Sequence, residues 1–127
     1  MNGELVPITV GQMTSSWAFT EDEIDPMTEF GRRSDPLLMG SYGGEVLCFV
    51  GFIPLTILSD YAYLWMYSTP AVERHRLIVG RWAHRLITEQ QRYRWLIGHG
   101  TLYSRAWLRS LGAEVDGGSF KIGPLHA

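Results

Sequence analysis

Four arginines recur at intervals that suit one face of a helix. Arg74, Arg81, Arg85 and Arg92 are separated by seven, four and seven residues, so a helix over residues 71–90 would carry them on one side. A guanidinium group pairs with carboxylates or phosphates through two parallel hydrogen bonds. This face is therefore suited to bind an acidic partner.

Three interpretations of these arginines remain open. The first is a solvated helix face, paired in part with acidic residues from the first half of the chain. The second is a contact surface for a protein partner, with all four arginines as candidate contact residues. The third is a nucleic-acid backbone. It is disfavoured because the net charge is −2 and the pI is near 6.0, whereas the pI of a dedicated nucleic-acid binder usually exceeds about 9.

The histidines and the cysteine do not predict a metal site. His75 and His84 are nine residues apart, and neither has a carboxylate or a cysteine at ligand spacing. The single cysteine, Cys48, rules out an internal disulfide. Because apolar residues flank it, we expect it to be a small core side chain and not a nucleophile.

The elements that must position these side chains form a β-α-β-α unit over residues 61–112. A strand at 61–67 is apolar on both faces, as expected for a central strand. Thr69 and Pro70 predict the start of the helix over 71–90. A strand at 93–97 and a helix at 101–111 follow, and Gly112 closes that helix. Strands joined through a helix are expected to be parallel.

The flanking segments complete a predicted single domain over residues 1–127. A strand at 5–10 and a helix starting at Thr20, which Pro26 should shorten or bend, precede a meander of strands at 45–52, 54–58 and 61–67. Strands at 113–115 and 119–122 flank an Asp-Gly-Gly hairpin turn. The predicted fold class is α+β (α/β), a mixed sheet in the order β-(α)-β-β-β-α-β-α-β-β with two main helices packed on it.

Charge is unevenly distributed along the chain. Residues 1–60 hold nine acidic and two basic side chains, whereas residues 61–127 hold four acidic and nine basic ones. The sequence therefore predicts an acidic and a basic surface. No apolar run reaches the roughly 18 residues of a membrane span, and the first residues lack the features of a signal peptide. We expect residence inside a cell or a virion.

The element order and its end resemble the GNAT acyltransferase superfamily. The segment Trp-Leu-Arg-Ser-Leu-Gly-Ala at 107–113 is similar to the Leu-Gly-aromatic corner of that family, with alanine in place of the aromatic residue. More narrowly, the segments at 49–52, 65–70, 73–76 and 105–108 resemble small GNAT-like proteins of tailed bacteriophages, including internal virion proteins of short-tailed coliphages. The resemblance covers residues 45–122 and implies a GNAT-like mixed sheet.

Three signatures that the resemblance implies are missing. Active members hold the pyrophosphate of acetyl-CoA on a Gln/Arg-x-x-Gly-x-Gly/Ala helix start, but the first glycine here is Gly80, and Pro70 removes a backbone N–H. Leu108 occupies the position of the proton-donating tyrosine, and the strand at 61–67 has no carboxylate. We therefore predict a non-enzymatic phage virion or virion-assembly protein without a cofactor. It would contact other phage structural proteins, in the virion and, during assembly, in the host cytoplasm.

The alternative is a small acetyl-CoA-dependent N-acetyltransferase with a degenerate coenzyme site. The resemblance places His99, which stands between two glycines, at the substrate cleft, where it would act as general base. A lone loop histidine is more often merely exposed. Tyr103 would stand in for the missing acid. The candidate coenzyme contacts are Met66, Ser68, Arg74 and Arg76.

Overall fold

The protein is described by a computed structural model that covers residues 3–16, 19–99 and 105–125. Within these residues, seven strands form one mixed sheet with helices on both faces. The strands are β1 (Glu4–Pro7), β2 (Leu37–Tyr42), β3 (Glu45–Pro54), β4 (Tyr61–Ser68), β5 (Trp95–His99), β6 (Glu114–Asp116) and β7 (Ser119–Ile122). The α-helices are α1 (Val10–Thr14), α2 (Glu21–Arg33), α3 (Arg76–Glu89) and α4 (Arg105–Ser110), and a 3₁₀ turn spans Pro70–Arg74.

The strand order across the sheet is β1-β2-β3-β4-β5-β7-β6. Every neighbouring pair is antiparallel except β4 and β5, which are parallel and joined through α3. The predicted mixed sheet and its β-α-β-α unit are confirmed. No helix in the described part of the chain is both long and apolar enough to cross a membrane.

The predicted meander is wrong in one strand. Residues 54–58 do not form a strand, because β3 continues to Pro54 and the chain then turns through a loop in which Ile57 and Leu58 are 91% and 95% exposed. The missing neighbour of β3 is β2, which was not predicted as a strand because residues 40–44, with three glycines, indicate a loop or the entry to a hairpin. Gly40 lies inside the strand, where a Cβ would lie 2.6 Å from the Trp82 ring. The glycine therefore marks close packing and not a turn.

The helices also differ from the prediction in their bounds. Helix α2 runs for 13 residues and continues through Pro26. The predicted helix over 71–90 is two elements, since Thr69 and Pro70 open a 3₁₀ turn and the α-helix begins only at Arg76. His75, with φ −137° and ψ 34°, separates them. Gly112 closes α4 with φ +86°, as predicted.

The core has two parts, one on each face of the sheet. On the first face, α3 and α4 pack through buried residues that include Val79, Ile87 and Leu108. On the second face, α1 and α2 cover Phe49 and Trp65. Side chains alternate along β4, so that Ala62 and Leu64 face α3 while Tyr63, Trp65 and Tyr67 face α2. This alternation decides which β4 side chains meet on each side of the sheet.

Candidate active site

The site is built where two parallel strands diverge. Strand β4 pairs with β5 only from Tyr61 to Tyr63, and the last partner is Ile97, although β4 continues to Ser68 and β5 to His99. Gly98 lies at this point, because a Cβ there would be 2.6 Å from the carbonyl oxygen of Leu64 and equally close to the Phe120 ring. Beyond this close approach, the two strands leave an opening in the sheet.

Backbone N–H groups of β4 face the opening. Thr69 donates its N–H to the carbonyl of Leu47 on β3 at 2.9 Å. Peptide groups alternate in direction along a strand, so the odd-numbered residues of β4 bond to β3. The N–H groups of Met66 and Ser68 therefore turn away from β3, past the last residue that pairs with β5. They are available to a ligand that enters as an extended chain.

A cavity of about 740 Å³ joins this opening to α3. Its lining includes Met66, Ser68, Arg76, His99 and Leu108. A second groove of about 770 Å³ runs along α3 to the end of α4, and it is lined by Arg81, Arg85 and His84 among others. Arg76 and Gly80 border both spaces. The opening in the sheet therefore continues into a basic groove on the surface.

The entrance of α3 differs from the sequence-based expectation. The first intrahelical bond runs from the Val79 N–H to the carbonyl of His75 at 3.1 Å, so residues 76–78 form the first turn of α3, whose N–H groups point out of the helix start. Pro70 lies six residues before the α-helix and removes none of these groups. The N–H that Pro70 lacks therefore belongs to the 3₁₀ turn and not to α3. Instead Leu77, 78% exposed, projects from this first turn.

A tyrosine and a histidine meet at the point of divergence. The hydroxyl of Tyr63 lies 2.9 Å from Nδ1 of His99, and their rings are 5.7 Å apart. His99 is the last residue of β5 and is exposed, so the prediction that it lies in a loop is wrong. Tyr63 was not predicted as a site residue. The alternation of side chains along β4 could have indicated which face of the sheet Tyr63 occupies. Only the register of β4 against β5 shows that Tyr63 reaches His99.

The four arginines do not share one helix face, and that prediction is wrong. Arg74 lies in the 3₁₀ turn and contacts both carboxylate oxygens of Glu45 at 2.6 and 2.8 Å. Arg92 follows the end of α3 and pairs with Asp35. Arg81 and Arg85 remain on α3 as an exposed pair. No ion pair of theirs occurs within the described residues. Whether any of the four contacts a partner stays a prediction.

The other candidate residues divide into three groups. Met66, Ser68 and Arg76 line the cavity, while Arg74 does not. Leu108 is buried and lines it too. Tyr103 lies outside the described residues. No group of three His, Cys, Asp or Glu side chains within residues 3–16, 19–99 and 105–125 is arranged to hold a metal ion.

Two titratable side chains near the site have shifted pKa values. Burial raises the pKa of the Cys48 thiol to about 11, and this side chain lines the cavity. On the other face of the sheet, the Thr20 N–H donates to Glu23 at 2.9 Å and lowers the pKa of that carboxyl group. The Tyr67 hydroxyl also donates to Glu23 at 3.0 Å. Cys48 is therefore protonated at neutral pH, and Glu23 is held at the start of α2.

The architecture is the GNAT fold, which is that of known acetyltransferases. Diaminobutyrate acetyltransferase EctA from Paenibacillus lautus, solved with L-2,4-diaminobutyric acid and coenzyme A, matches with a TM-score of 0.69 at 11% identity, over 97% of this chain and 95% of that one. The yncA structure from Salmonella typhimurium with its cofactor acetyl-CoA gives 0.68 at 12%, over 100% and 96%. The ribosomal-protein-S18-alanine N-acetyltransferase of Escherichia coli gives 0.65 at 14%, over 99% and 96%. No family model and no curated protein matches the sequence.

These comparisons overturn the predicted function. A non-enzymatic virion protein acting through protein–protein contacts is contradicted, because the similar structures are acetyltransferases and two of them hold acetyl-CoA or coenzyme A. The comparisons give no support to the bacteriophage part of the resemblance. Residence in a virion or in host cytoplasm stays a prediction. The prediction was wrong because it relied on the absence of these sequence signatures. The opening between β4 and β5 depends on strand register, about which the signatures give no information.

Proposed function

We propose that the protein is an N-acyltransferase that moves an acetyl group from acetyl-CoA to a primary amine. The observation that carries this proposal is the divergence of β4 from β5, which turns strand N–H groups toward a cavity of about 740 Å³. The fold shared with structures that hold acetyl-CoA or coenzyme A supports it.

The opening suits the pantetheine arm of the coenzyme. That arm is a narrow chain with two amide groups, and an extended chain gains affinity by hydrogen bonding to an unpaired strand edge. The N–H groups of Met66 and Ser68 offer such an edge. Apolar side chains of the lining, among them Val50, Leu64 and Leu108, would cover its methylene groups.

The phosphates would be held at the entrance of α3 and in the basic groove. N–H groups at the start of a helix favour an anion, since the helix dipole adds partial positive charge there. Arg76 borders both cavities, and Arg81 and Arg85 line the groove beyond it. Guanidinium groups at these positions supply charge-assisted hydrogen bonds to phosphate oxygens. The exposed Leu77 side chain opposes close approach to the helix backbone and must turn aside.

The reaction itself needs an amine in its neutral form. Its nitrogen attacks the thioester carbon, the carbon–sulfur bond breaks, and the sulfur leaves as a thiolate. As the amide forms, the nitrogen loses a proton and the thiolate gains one. Leu108 carries no proton to give, so the thiolate takes its proton from another donor. Tyr103 stays the predicted candidate for that role.

A binding and turnover experiment tests the proposal. Thermal unfolding is followed with 1 mM acetyl-CoA, coenzyme A or ATP, and thiol release from acetyl-CoA is measured with L-2,4-diaminobutyrate, spermidine and a peptide with an N-terminal alanine. A ligand present at 100 times its Kd stabilises the folded state by about 2.7 kcal/mol. We expect acetyl-CoA to stabilise the protein more than ATP does, and at least one amine to accelerate thiol release.

Two substitutions of Ser68 test whether acetyl-CoA binding depends on the N–H group that faces the opening. Ser68→Pro removes the N–H that faces the cavity, whereas Ser68→Ala keeps it. The loss of one hydrogen bond, about 0.5 to 1.5 kcal/mol, corresponds to roughly 2- to 10-fold weaker binding of acetyl-CoA. Ser68→Ala should bind as the unchanged protein does. Equal stabilisation by ATP and acetyl-CoA, with no amine-dependent thiol release, would reject the proposed function.

A further inference from the structure

We infer that Tyr63 and His99 form a proton relay that deprotonates the incoming amine, an inference that rests on the proposed function. Tyr63 would be the catalytic residue that receives the amine proton. His99 would take up the proton that Tyr63 gives away, on the side of the pair that is open to water.

The position of the pair is the first argument. Tyr63 is the last residue of β4 that pairs with β5, and His99 ends β5 beyond the last paired residue, Ile97. His99 lines the cavity. Tyr63 faces α2, on the side of the sheet opposite α3 and the basic groove. The pair therefore connects the cavity, which His99 lines, with the α2 side of the sheet, which Tyr63 faces, and the amine would approach Tyr63 from that side.

The second argument is that both side chains are held in place. Phe30 of α2 stacks on the Tyr63 ring, with centroids 6.5 Å apart and planes 14° apart. The backbone of His99 pairs with Ser119 of β7, so its Cα position is fixed by the sheet. The 2.9 Å contact between the Tyr63 hydroxyl and Nδ1 then sets the orientation of the imidazole ring. Pre-set geometry of this kind is what a proton transfer requires.

The third argument comes from the exposure of the two groups. Tyr63 is half-buried, whereas His99 is exposed. We assign the Tyr63 hydroxyl as the donor to Nδ1, because a phenol O–H is a stronger donor than a neutral imidazole N–H. An ammonium group would pass one proton to the Tyr63 oxygen while Tyr63 passes its own to Nδ1. The products are a neutral amine, a neutral tyrosine and an imidazolium that releases its proton to water.

Other titratable groups that line the cavity are less suited to this role. Glu73 is paired with Arg76 at 2.8 Å. Cys48 is buried, and its pKa of about 11 keeps it protonated. Neither β4 nor β5 carries an aspartate or a glutamate. Among the cavity-lining groups in the described part of the chain, His99 with its partner Tyr63 thus combines a basic nitrogen, a positioned hydroxyl, and contact with both cavity and solvent.

The test uses the full chain and three variants. Tyr63→Phe and His99→Ala each break the relay, and Tyr61→Phe is the matched control, since it removes a hydroxyl two residues earlier on the same face of β4. For each protein we measure stabilisation by 1 mM acetyl-CoA and the kcat of thiol release. Two classes of acceptor are compared: the alkylamines spermidine and L-2,4-diaminobutyrate, whose alkyl amino groups are protonated at pH 7.5, and hydroxylamine, which is largely neutral there.

The relay predicts a selective loss of activity. With alkylamines, kcat should fall about 10²- to 10⁴-fold in Tyr63→Phe and His99→Ala, the usual contribution of general base catalysis. Hydroxylamine needs no deprotonation before it attacks, so its kcat should fall far less. Imidazole added to His99→Ala should restore part of the alkylamine activity. Stabilisation by acetyl-CoA, and the activity of Tyr61→Phe, should match the unchanged protein.

Three outcomes would overturn the inference, and they are distinguishable from one another. If both variants keep kcat within about 3-fold for alkylamines, the relay is rejected and the acyltransferase function stands. If hydroxylamine and alkylamine activities fall equally, the two residues hold the site together and do not move a proton. If the unchanged protein neither is stabilised by acetyl-CoA nor releases thiol with any acceptor, the proposed function fails, and the relay fails with it.

Discussion

Replacing Gly98 with alanine tests whether the divergence of β4 from β5 depends on a bare backbone. An added Cβ would lie 2.6 Å from the Leu64 carbonyl oxygen and from a carbon of the Phe120 ring. Ordinary contacts between such atoms begin near 3.4 Å, so the neighbours must yield by about 0.8 Å. The Phe120 ring is the end of a side chain, but the Leu64 oxygen belongs to the backbone. The strain therefore falls on β4 at the edge of the cavity.

We expect Gly98→Ala to lose about 1 to 3 kcal/mol of unfolding free energy, the usual cost of overpacking a well-filled core. In a domain of this size each kcal/mol lowers Tm by roughly 3 to 6 °C. Urea unfolding followed by tryptophan fluorescence measures the free energy, and the m-value should stay unchanged. Because the displaced oxygen borders the opening, stabilisation by 1 mM acetyl-CoA should also decrease.

The matched control is Gly11→Ala in helix α1. A Cβ there would find nothing closer than Thr9 Oγ1 at 4.0 Å, so its stability should be unchanged or raised by up to about 1 kcal/mol. The reasoning is refuted if Gly98→Ala unfolds at the same urea concentration as the unchanged protein. It is also refuted if both glycine variants lose equal stability, because the close approach to Leu64 would then have no special effect.

Three further predictions concern single side chains. Leu77→Ala removes the side chain that covers the first turn of α3 and should tighten acetyl-CoA binding by roughly 2- to 10-fold, which corresponds to one added hydrogen bond to an N–H group. Calorimetry measures this affinity, and the control Leu55→Ala, at another exposed leucine, should show no change. Cys48 should resist iodoacetamide at pH 8 and react fully in urea, since it is 1% exposed with a pKa of about 11; mass spectrometry reports the adduct, and rapid native labelling would contradict the burial. Glu23 has a pKa below its ordinary value of 4.5, so its carboxylate stabilises the fold above that pH and loses this effect as pH falls through the folded-state pKa. The Tm difference between the unchanged protein and Glu23→Gln should accordingly vanish in acid, whereas a pH-independent difference would show that the charge is not responsible.

Sequence patterns predicted the parts of the fold that rest on local chemistry. Apolar strands, the threonines Thr20 and Thr69 at two helix starts and Gly112 after the last helix are read from neighbouring residues, and the mixed sheet followed from them. The errors arose where a residue that is distant in the sequence determines the local structure. Gly40 reads as a loop signal, yet it lies in β2 because the Trp82 ring packs against its bare Cα. The break at His75 between the 3₁₀ turn and α3 had no marker in the sequence.

The candidate site was harder to predict from local sequence patterns than the fold was. His99, Met66, Ser68 and Arg76 were predicted from resemblance, and the structure places all four along one cavity. Tyr63 was missed because its contact with His99 spans 36 positions in the chain and depends on the register of two parallel strands. Likewise, the pairing of Arg92 with Asp35 depends on tertiary structure, although helical spacing had grouped Arg92 with Arg81 and Arg85.

The placement of charge on either side of the sheet has a consequence for how molecules arrive. Three acidic residues open α2 on one side, and Arg81 and Arg85 lie on α3 on the other. Helix α2 carries five acidic and two basic side chains in all, and α3 carries three arginines and one glutamate, so the two helices place opposite net charge on the two faces of the sheet. This separation of charge draws anions toward the α3 side and cations toward the α2 side before any contact forms, so two oppositely charged molecules would be guided to opposite faces of the sheet. Raising the ionic strength shortens the reach of both attractions together.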